Sequence, residues 1–482
     1  MDKKQHQLRL EDRFLTRRDF LSRCGMGVGA LGLVSLMDAA GLLTSTARAD
    51  SSLLSPLAPK LPPFPGKAKQ IIHLFMAGGP SHVDTFDPKP ALAKYAGKAI
   101  KDIDKTITRP GAAFPSPFKF APHGKSGIEI SEVFPHLAEH VDEMTIIRSM
   151  RTPIPSHEIG MLMMNTGEAR FVRPSMGSWV TYGLGTENQN LPGFIVLSAQ
   201  GQPLLGDQNW QSAFLPGAYQ GTFVETRKTS PDKIIEYIRS GTTSLQEQRR
   251  QLDLLEKLEQ EHAKKRAEEG PLESRIQSFE TAFRMQMEAT DAVDVSKEPA
   301  AIRAMYGDTP QGRQLLIARR LIERGVRFVQ AWHSGWDHHS QIESGVRNMA
   351  TGCDQAIAAL MTDLKQRGLL DQTLILWGGE FGRTPMSDIN QNIDITKGRG
   401  RDHNGAGFSV WLAGGGVKGG YVHGATDQFG YAAIENKVEI ADLHASILQL
   451  LGFDHKKLSY RSAGRDFRLT GVDGNVVKEI LA

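Results

Sequence analysis

The 482-residue chain predicts an α/β fold, with helices covering a mostly parallel sheet. Three observations carry that expectation. Short apolar runs alternate with longer segments of helical period through the second half of the chain. The runs end in glycine, as in Met76-Ala77-Gly78-Gly79 and Trp377-Gly378-Gly379, so strands feed sharp loops. Carboxylates and imidazoles follow these runs directly, and sheets of this class carry their sites beyond the carboxyl ends of the strands.

The N-terminus reads Thr16-Arg17-Arg18-Asp19-Phe20-Leu21, then an apolar, Gly-rich stretch, then Ala47-Arg48-Ala49. That order is a twin-arginine export signal with a small-residue cleavage site, so residues 1–49 are expected to be removed and the protein exported folded to the periplasm or the exterior. Asp38 interrupts the apolar stretch, which argues against a lasting membrane anchor. The Tat translocase is the expected partner during export. Residues 1–49 hold eight Lys/Arg and five Asp/Glu, so the remainder balances at 49 of each. With no basic tract or stacking ladder, nucleic acid is not an expected partner. Cys353 is the only cysteine past the signal, which excludes an intrachain disulfide.

Residues 50–66, rich in Ser, Pro and Leu, read as a flexible leader, and 67–475 as the folded domain. Gln70–Met76 predicts a buried strand, and 91–122 a surface wrap. Met144–Ser149 and Phe194–Leu197 predict strands, with a short helix over Pro135–Val141. Around 230–290, Leu245, Leu252, Leu255 and Leu258 recur at helical spacing among charges, with a break at Gly270-Pro271. This predicts a solvated insertion of two long amphipathic helices. Then follow helix Gln314–Arg324, strand Arg327–Trp332, helix Ser344–Arg367, strands Thr373–Trp377 and Phe408–Leu412, and helix Ile440–Leu451.

The chemistry sits in the loops. Trp336-Asp337-His338-His339 follows one strand, and Asp337 and His339 can converge on one metal. Glu380 follows the next strand through two glycines. Arg383 beside it can pair with Glu380 or bind an anionic group in a bidentate manner. Arg401-Asp402-His403-Asn404-Gly405 precedes another strand and offers Asp402 and His403. After the first strand, Ser81 can be a nucleophile and His82 and Asp84 ligands; the same residues can instead satisfy a turn. Ser156-His157 opens a helix, where the serine reads as a cap and His157 can line the same pocket. Oxygen and nitrogen donors on a rigid scaffold are what a hydrolytic metal site requires.

Several stretches resemble the exported bacterial proteins grouped as domain of unknown function 1501, a sulfatase-like branch of the alkaline phosphatase-like superfamily. They are HLFMAGGPSHVDTFDPKP (73–90), GWDHHS (335–340), WGGEFGRTP (377–385), GRDHNGAGFSVWLAGGGVKGGYVHGATD (400–427) and ADLHASILQLLGFD (441–454). The resemblance implies a three-layer α/β/α sandwich, alkaline phosphatase-like, with a dinuclear metal centre acting on phosphate or sulfate esters. The chain departs from that pattern at three places. Glu380-Phe381-Gly382 stands where a later strand usually ends in Asp-His or Asp-Asn before Gly, so one ligand is kept as Glu and the next is lost. Ala77-Gly78-Gly79 stands where the superfamily has metal-binding Asp. Pro153 stands where sulfatases carry the residue converted to formylglycine, which excludes formylglycine there.

The expectation is therefore an exported metal-dependent hydrolase of sulfate or phosphate esters, with a sulfated or phosphorylated glycan among the candidate substrates. His82, Asp84, Asp337, His339, Glu380, Asp402 and His403 would hold one or two divalent ions. The mixed N/O set suits zinc or manganese, with calcium and magnesium open. Ser81 or a metal-activated water would attack, and Arg383 would neutralise the substrate anion. The alternative is a catalytically inactive sulfatase-like protein that serves binding or assembly in the envelope.

Overall fold

The computed structural model describes residues 56–100, 111–230, 234, 243–263, 283, 288–387 and 399–482. The expected signal segment 1–49 and most of the insertion's second helix lie outside the described residues. The chain divides into two compact units. The larger comprises 56–234 and 292–482, and the smaller includes 235–291.

The sheet of the larger unit is built from β1 (Gln70–Ala77), β2 (Met144–Arg151), β3 (Phe194–Ser198), β4 (Thr222–Glu225), β5 (Phe328–Ser334), β6 (Thr373–Gly378), β7 (Phe408–Ala413), β8 (Tyr421–His423) and β9 (Val438–Glu439). Its order is β8-β2-β7-β6-β1-β5-β3-β4, with β9 also beside β2. β1 lies between β5 and β6, parallel to both, with Ile71 opposite Phe328 and Leu374. Only β7 is reversed, running antiparallel to both β2 and β6. The start of β7 therefore lies at the same edge as the ends of β1, β2, β5 and β6. That geometry decides which loops meet.

Every residue of β1 is buried, as a strand covered on both faces must be. Its alternate residues Ile71, Phe75 and Ala77 join a core with α2 (His157–Thr166), α3 (Met176–Leu184) and α8 (Ile440–Leu450). The Phe75 and Trp332 rings pack with centroids 4.2 Å apart, and burying each such side chain contributes about 2 kcal/mol. The one-turn α1 (His82–Thr85) follows β1, α6 (Pro310–Glu323) lies against β1, β3 and β5, and α7 (Ile342–Gln366) packs on both α6 and α5 (Ala300–Tyr306). Together these form the α/β/α layering. α6 begins where the sequence dictates: the Thr309 side chain accepts the Gly312 N–H at 2.9 Å, with Pro310 in the first turn. Gln314 on α6 then donates to the Trp332 carbonyl at 2.9 Å, fastening helix to sheet.

Three short edge strands, β4, β8 and β9, fall where the sequence predicts none. Ahead of β2, Phe120–His123 pairs with Ile128–Ser131 in a separate hairpin. Residues 56–66, read as leader, are tied to the larger unit. The Lys60 N–H donates to the Leu184 carbonyl at 2.8 Å, and its ammonium lies over the Tyr182 and Tyr219 rings. In the smaller unit, α4 (Leu245–Ala263) buries Leu252 and pairs Arg249 with Asp253 one turn on, at 2.7 Å.

Three of the buried histidines belong to the sheet and its covering helix. Burial pushes His73 of β1 down to about 3, helped by His444, and pushes His333 of β5 and His444 of α8 down to about 4. They are neutral in the fold, whereas unfolding lets them protonate below about 6.5. Between about pH 6.5 and 4 the unfolded chain thus binds more protons, and stability falls with pH by up to about 1.4 kcal/mol per unit for each histidine. Urea unfolding of the chelator-treated protein should show a clearly lower midpoint at pH 5 than at pH 7. Equal midpoints would contradict neutral core histidines.

Candidate metal centre

The site is assembled at the sheet edge from four loops. Gly335 and Trp336 donate their N–H groups to the Ala77 carbonyl at 3.2 and 3.1 Å, so the loop after β5 sits on the end of β1. Gly78 makes that contact possible. Its φ is 116°, and a Cβ there would lie 2.5 Å from the Asp337 nitrogen. After β6, Gly382-Arg383 pairs antiparallel with His403-Asn404, placing His403 opposite Arg383. The loop after β2 leads to His157 at the start of α2, and the Thr152 N–H bonds the Gly405 carbonyl at 2.8 Å.

Three imidazoles thereby face one carboxylate. The Nε2 atoms of His157, His339 and His403 lie 3.2, 3.0 and 3.4 Å from the Asp337 carboxylate oxygens. His339 Nε2 and His403 Nε2 are 3.0 Å apart, so at most one can hold a proton towards the other. His403 Nδ1 lies 3.0 Å from the Pro155 carbonyl and can only donate there, which leaves Nε2 with its lone pair. His157 Nε2 is close to Asp337 but makes no well-directed hydrogen bond. Asp402 Oδ1 accepts the His403 N–H at 2.8 Å and lies 3.9 Å from His339 Nδ1. Two groups satisfy the spacing of a metal site among the described residues: His157, Asp337 and His403, and His339, Asp402 and His403. Their ligand atoms lie within 4.8 Å of one another. This convergence of imidazole and carboxylate donors fits a divalent cation of the zinc or manganese type, which would displace the Nε2 protons on binding.

The electrostatics show how strongly the cluster attracts positive charge. Burial opposes the ionisation of Asp337, but the three imidazoles around it and the Arg383 charge outweigh it and hold the carboxyl far below its usual range. Burial likewise opposes charge on His157, yet Asp337 and Glu380 raise it to about 9. The Asp337 side chain is 43 % exposed and His157 18 %, so the centre opens to solvent on one side.

The structure brings Asp337, His339, Arg383, Asp402 and His403 together with Glu380, but two of these differ in use from the sequence expectation. Glu380, expected as a ligand, is fully buried. It accepts the Gly78 N–H at 3.0 and 3.3 Å and lies 2.6 Å from His157 Nδ1. Arg383, expected to meet the substrate anion, is also buried. It pairs with Asp337 and donates to the carbonyls of Gly78, Gly79 and Arg401. Its donors are committed to holding loops.

Ser81, His82 and Asp84 lie apart from the donor groups, in a buried network. Asp84 takes a two-point pair from Arg401 at 2.7 and 3.1 Å, which occupies the carboxylate expected to bind metal. The Ser81 hydroxyl donates to Asp84 at 2.5 Å, and His82 Nε2 lies 2.7 Å from the Gly430 carbonyl. All three side chains are buried, so Ser81 is not presented as a nucleophile. His157 is the residue that sequence reading did not place among the ligands. Its signal was present: a histidine opening a helix directly after a strand end.

The family described as "Protein of unknown function (DUF1501)" matches residues 68–481. The chain belongs to this family. Solved structures similar to it include the lipoteichoic acid synthase LtaP from Listeria monocytogenes, 9 % identical, with 91 % of this chain and 80 % of that one covered and a TM-score of 0.37. A protein in the alkaline phosphatase superfamily from Vibrio parahaemolyticus is 12 % identical, with 89 % and 76 % covered and a TM-score of 0.34. The PsFucS1 sulfatase from Pseudoalteromonas sp. is 13 % identical, with 80 % and 68 % covered and a TM-score of 0.34. Likeness at this level carries no conclusion about activity. No curated protein matches the chain.

Proposed function

We propose that this DUF1501 protein is a metal-dependent hydrolase acting on phosphate or sulfate esters. The observation that supports this reading is the convergence of three imidazole Nε2 atoms on the Asp337 carboxylate at a solvent-open edge. His157, Asp337, His339 and His403 would hold the ion, with Asp402 beside them. A divalent cation bound there would activate water and polarise the ester oxygen. Water is the attacking group in this reading, because the Ser81 hydroxyl is buried against Asp84. Arg383 holds Asp337 towards the imidazoles, and Asp402 and His339 line the exposed side where an anionic substrate would enter. A sulfated or phosphorylated glycan is the proposed substrate class. Export by the twin-arginine pathway to the periplasm or beyond, with cleavage after Ala49, completes the proposal.

Purified protein should contain at least one tightly held zinc or manganese ion. It should also turn over at least one member of a panel of aryl phosphate mono- and diesters and aryl sulfates, with activity lost on chelation and in His403→Ala. The commitment of Ser81 and Arg383 to structural partners favours a second reading, an inactive envelope binding protein. Bound metal without turnover on the whole panel would select it.

A further inference from the structure

We infer that Glu380 is a positioning residue for the metal centre and not one of its ligands: it holds His157 through the Nδ1–H and so presents Nε2 to the metal position. This rests on the reading that the histidine cluster binds a cation.

Geometry leaves Glu380 little room for another role. Oε1 lies 2.6 Å from His157 Nδ1 and 3.0 Å from the Gly78 nitrogen, and Oε2 accepts the same Gly78 N–H at 3.3 Å. The side chain is fully buried. The first turn of α2 packs against it, since a Cβ on Gly160 would lie 3.3 Å from the Glu380 Cβ. The Glu380 oxygen accepts from the ring as it does from Gly78, so Nδ1 carries a proton and Nε2 is the nitrogen that meets the ion, giving up its own proton on binding. His403 is arranged in parallel, its Nδ1 held by the Pro155 carbonyl at 3.0 Å and its Nε2 facing the same point. Phe381, next to Glu380, lies under both rings, with centroids 5.0 Å from His157 and 4.7 Å from His403. The difference between the two rings is chemical. A carboxylate partner makes an imidazole a stronger donor to a metal than a carbonyl does, and such partners raise metal affinity without touching the ion. Glu380 therefore couples the end of β1, through Gly78, to the ligand strength of the imidazole contributed by α2.

A double-mutant cycle on zinc affinity tests this, using titration calorimetry on the full chain with Glu380→Ala, Glu380→Gln, His157→Ala and the His157→Ala/Glu380→Ala pair. Chelator-treated melting curves report folding. Glu380→Ala should weaken zinc binding by about 10–100-fold. Glu380→Gln, which can keep an oxygen at the Oε1 position, should lose less. In the His157→Ala background, Glu380→Ala should change affinity by less than about 2-fold, because its route to the ion is already gone. An equal loss in both backgrounds, an equal loss for Gln and Ala, or no loss for Ala would each overturn the inference while leaving the metal centre standing. Failure of the unsubstituted protein to bind zinc or manganese would overturn the metal reading itself, and this inference with it.

Discussion

Asp337→Asn is expected to abolish tight metal binding and, with it, hydrolysis. Asp337 is the one carboxylate that all three imidazoles and Arg383 address. Asparagine keeps its shape and removes its charge, so loss of affinity should exceed the roughly 10–100-fold typical of an outer partner. The metal-free protein should respond too. Arg383 is buried and would lose its ion-pair partner. Removing one member of a fully buried pair costs about 3–5 kcal/mol. The cost here should be lower, about 1–3 kcal/mol, because Asp337 is 43 % exposed and Arg383 keeps its backbone carbonyls. His157 offers an independent readout. Its imidazole stands at about 9 in the metal-free protein, with Asp337 among the causes that raise it. NMR titration of Asp337→Asn should show a lower value, whereas an unchanged titration together with unchanged zinc affinity would remove Asp337 from the centre.

Arg401→Ala should be the most destabilising single change near the site. Arg401 and Asp84 are both fully buried and meet at two points. Deleting the guanidinium leaves the buried Asp84 charge with the Ser81 hydroxyl as its remaining side-chain partner, at a cost of about 3–5 kcal/mol. The effect should spread to the metal. The Arg401 N–H donates to the His338 carbonyl at 3.0 Å, and the Arg401 carbonyl accepts from Arg383 at 3.2 Å. Loosening this loop displaces His403 two residues on. Urea unfolding of the metal-free variant measures the first effect and zinc titration the second. Converting both partners, Asp84→Asn with Arg401→Met, should recover part of the stability, because no charge is then left unpaired. A loss under about 1 kcal/mol for Arg401→Ala would mean that the pair contributes no more than a surface one.

The legible parts of this protein were those written in short-range pattern. β1, β5, β6 and β7 came from apolar runs of strand length, and α6, α7 and α8 from helical period. Their observed ends differ by only a few residues. Asp337, His339, Asp402 and His403 stood out because loops after and before strands are where such residues gather. What sequence could not show was pairing at long range. Whether a carboxylate binds a metal or an arginine depends on residues hundreds of positions away. Asp84 met Arg401, and Glu380 met His157, and neither pair has a local signal. His157 was undervalued for a related reason. Only the reversal of β7 against β2 and β6 places the loop after β2 beside the loop that carries His403, and a period-two pattern says nothing of strand direction. The edge strands β4, β8 and β9 were missed because two to four residues are too few to show a period.

Anomalous diffraction from crystals grown with zinc tests the central claim most directly. The proposed centre predicts a peak within about 2.0–2.2 Å of an Asp337 oxygen and of at least two of the His157, His339 and His403 Nε2 atoms, with the His157 and His403 rings still held from behind through Nδ1. A zinc-replete crystal with no peak there, or with the ion at Ser81, His82 and Asp84 instead, would contradict it.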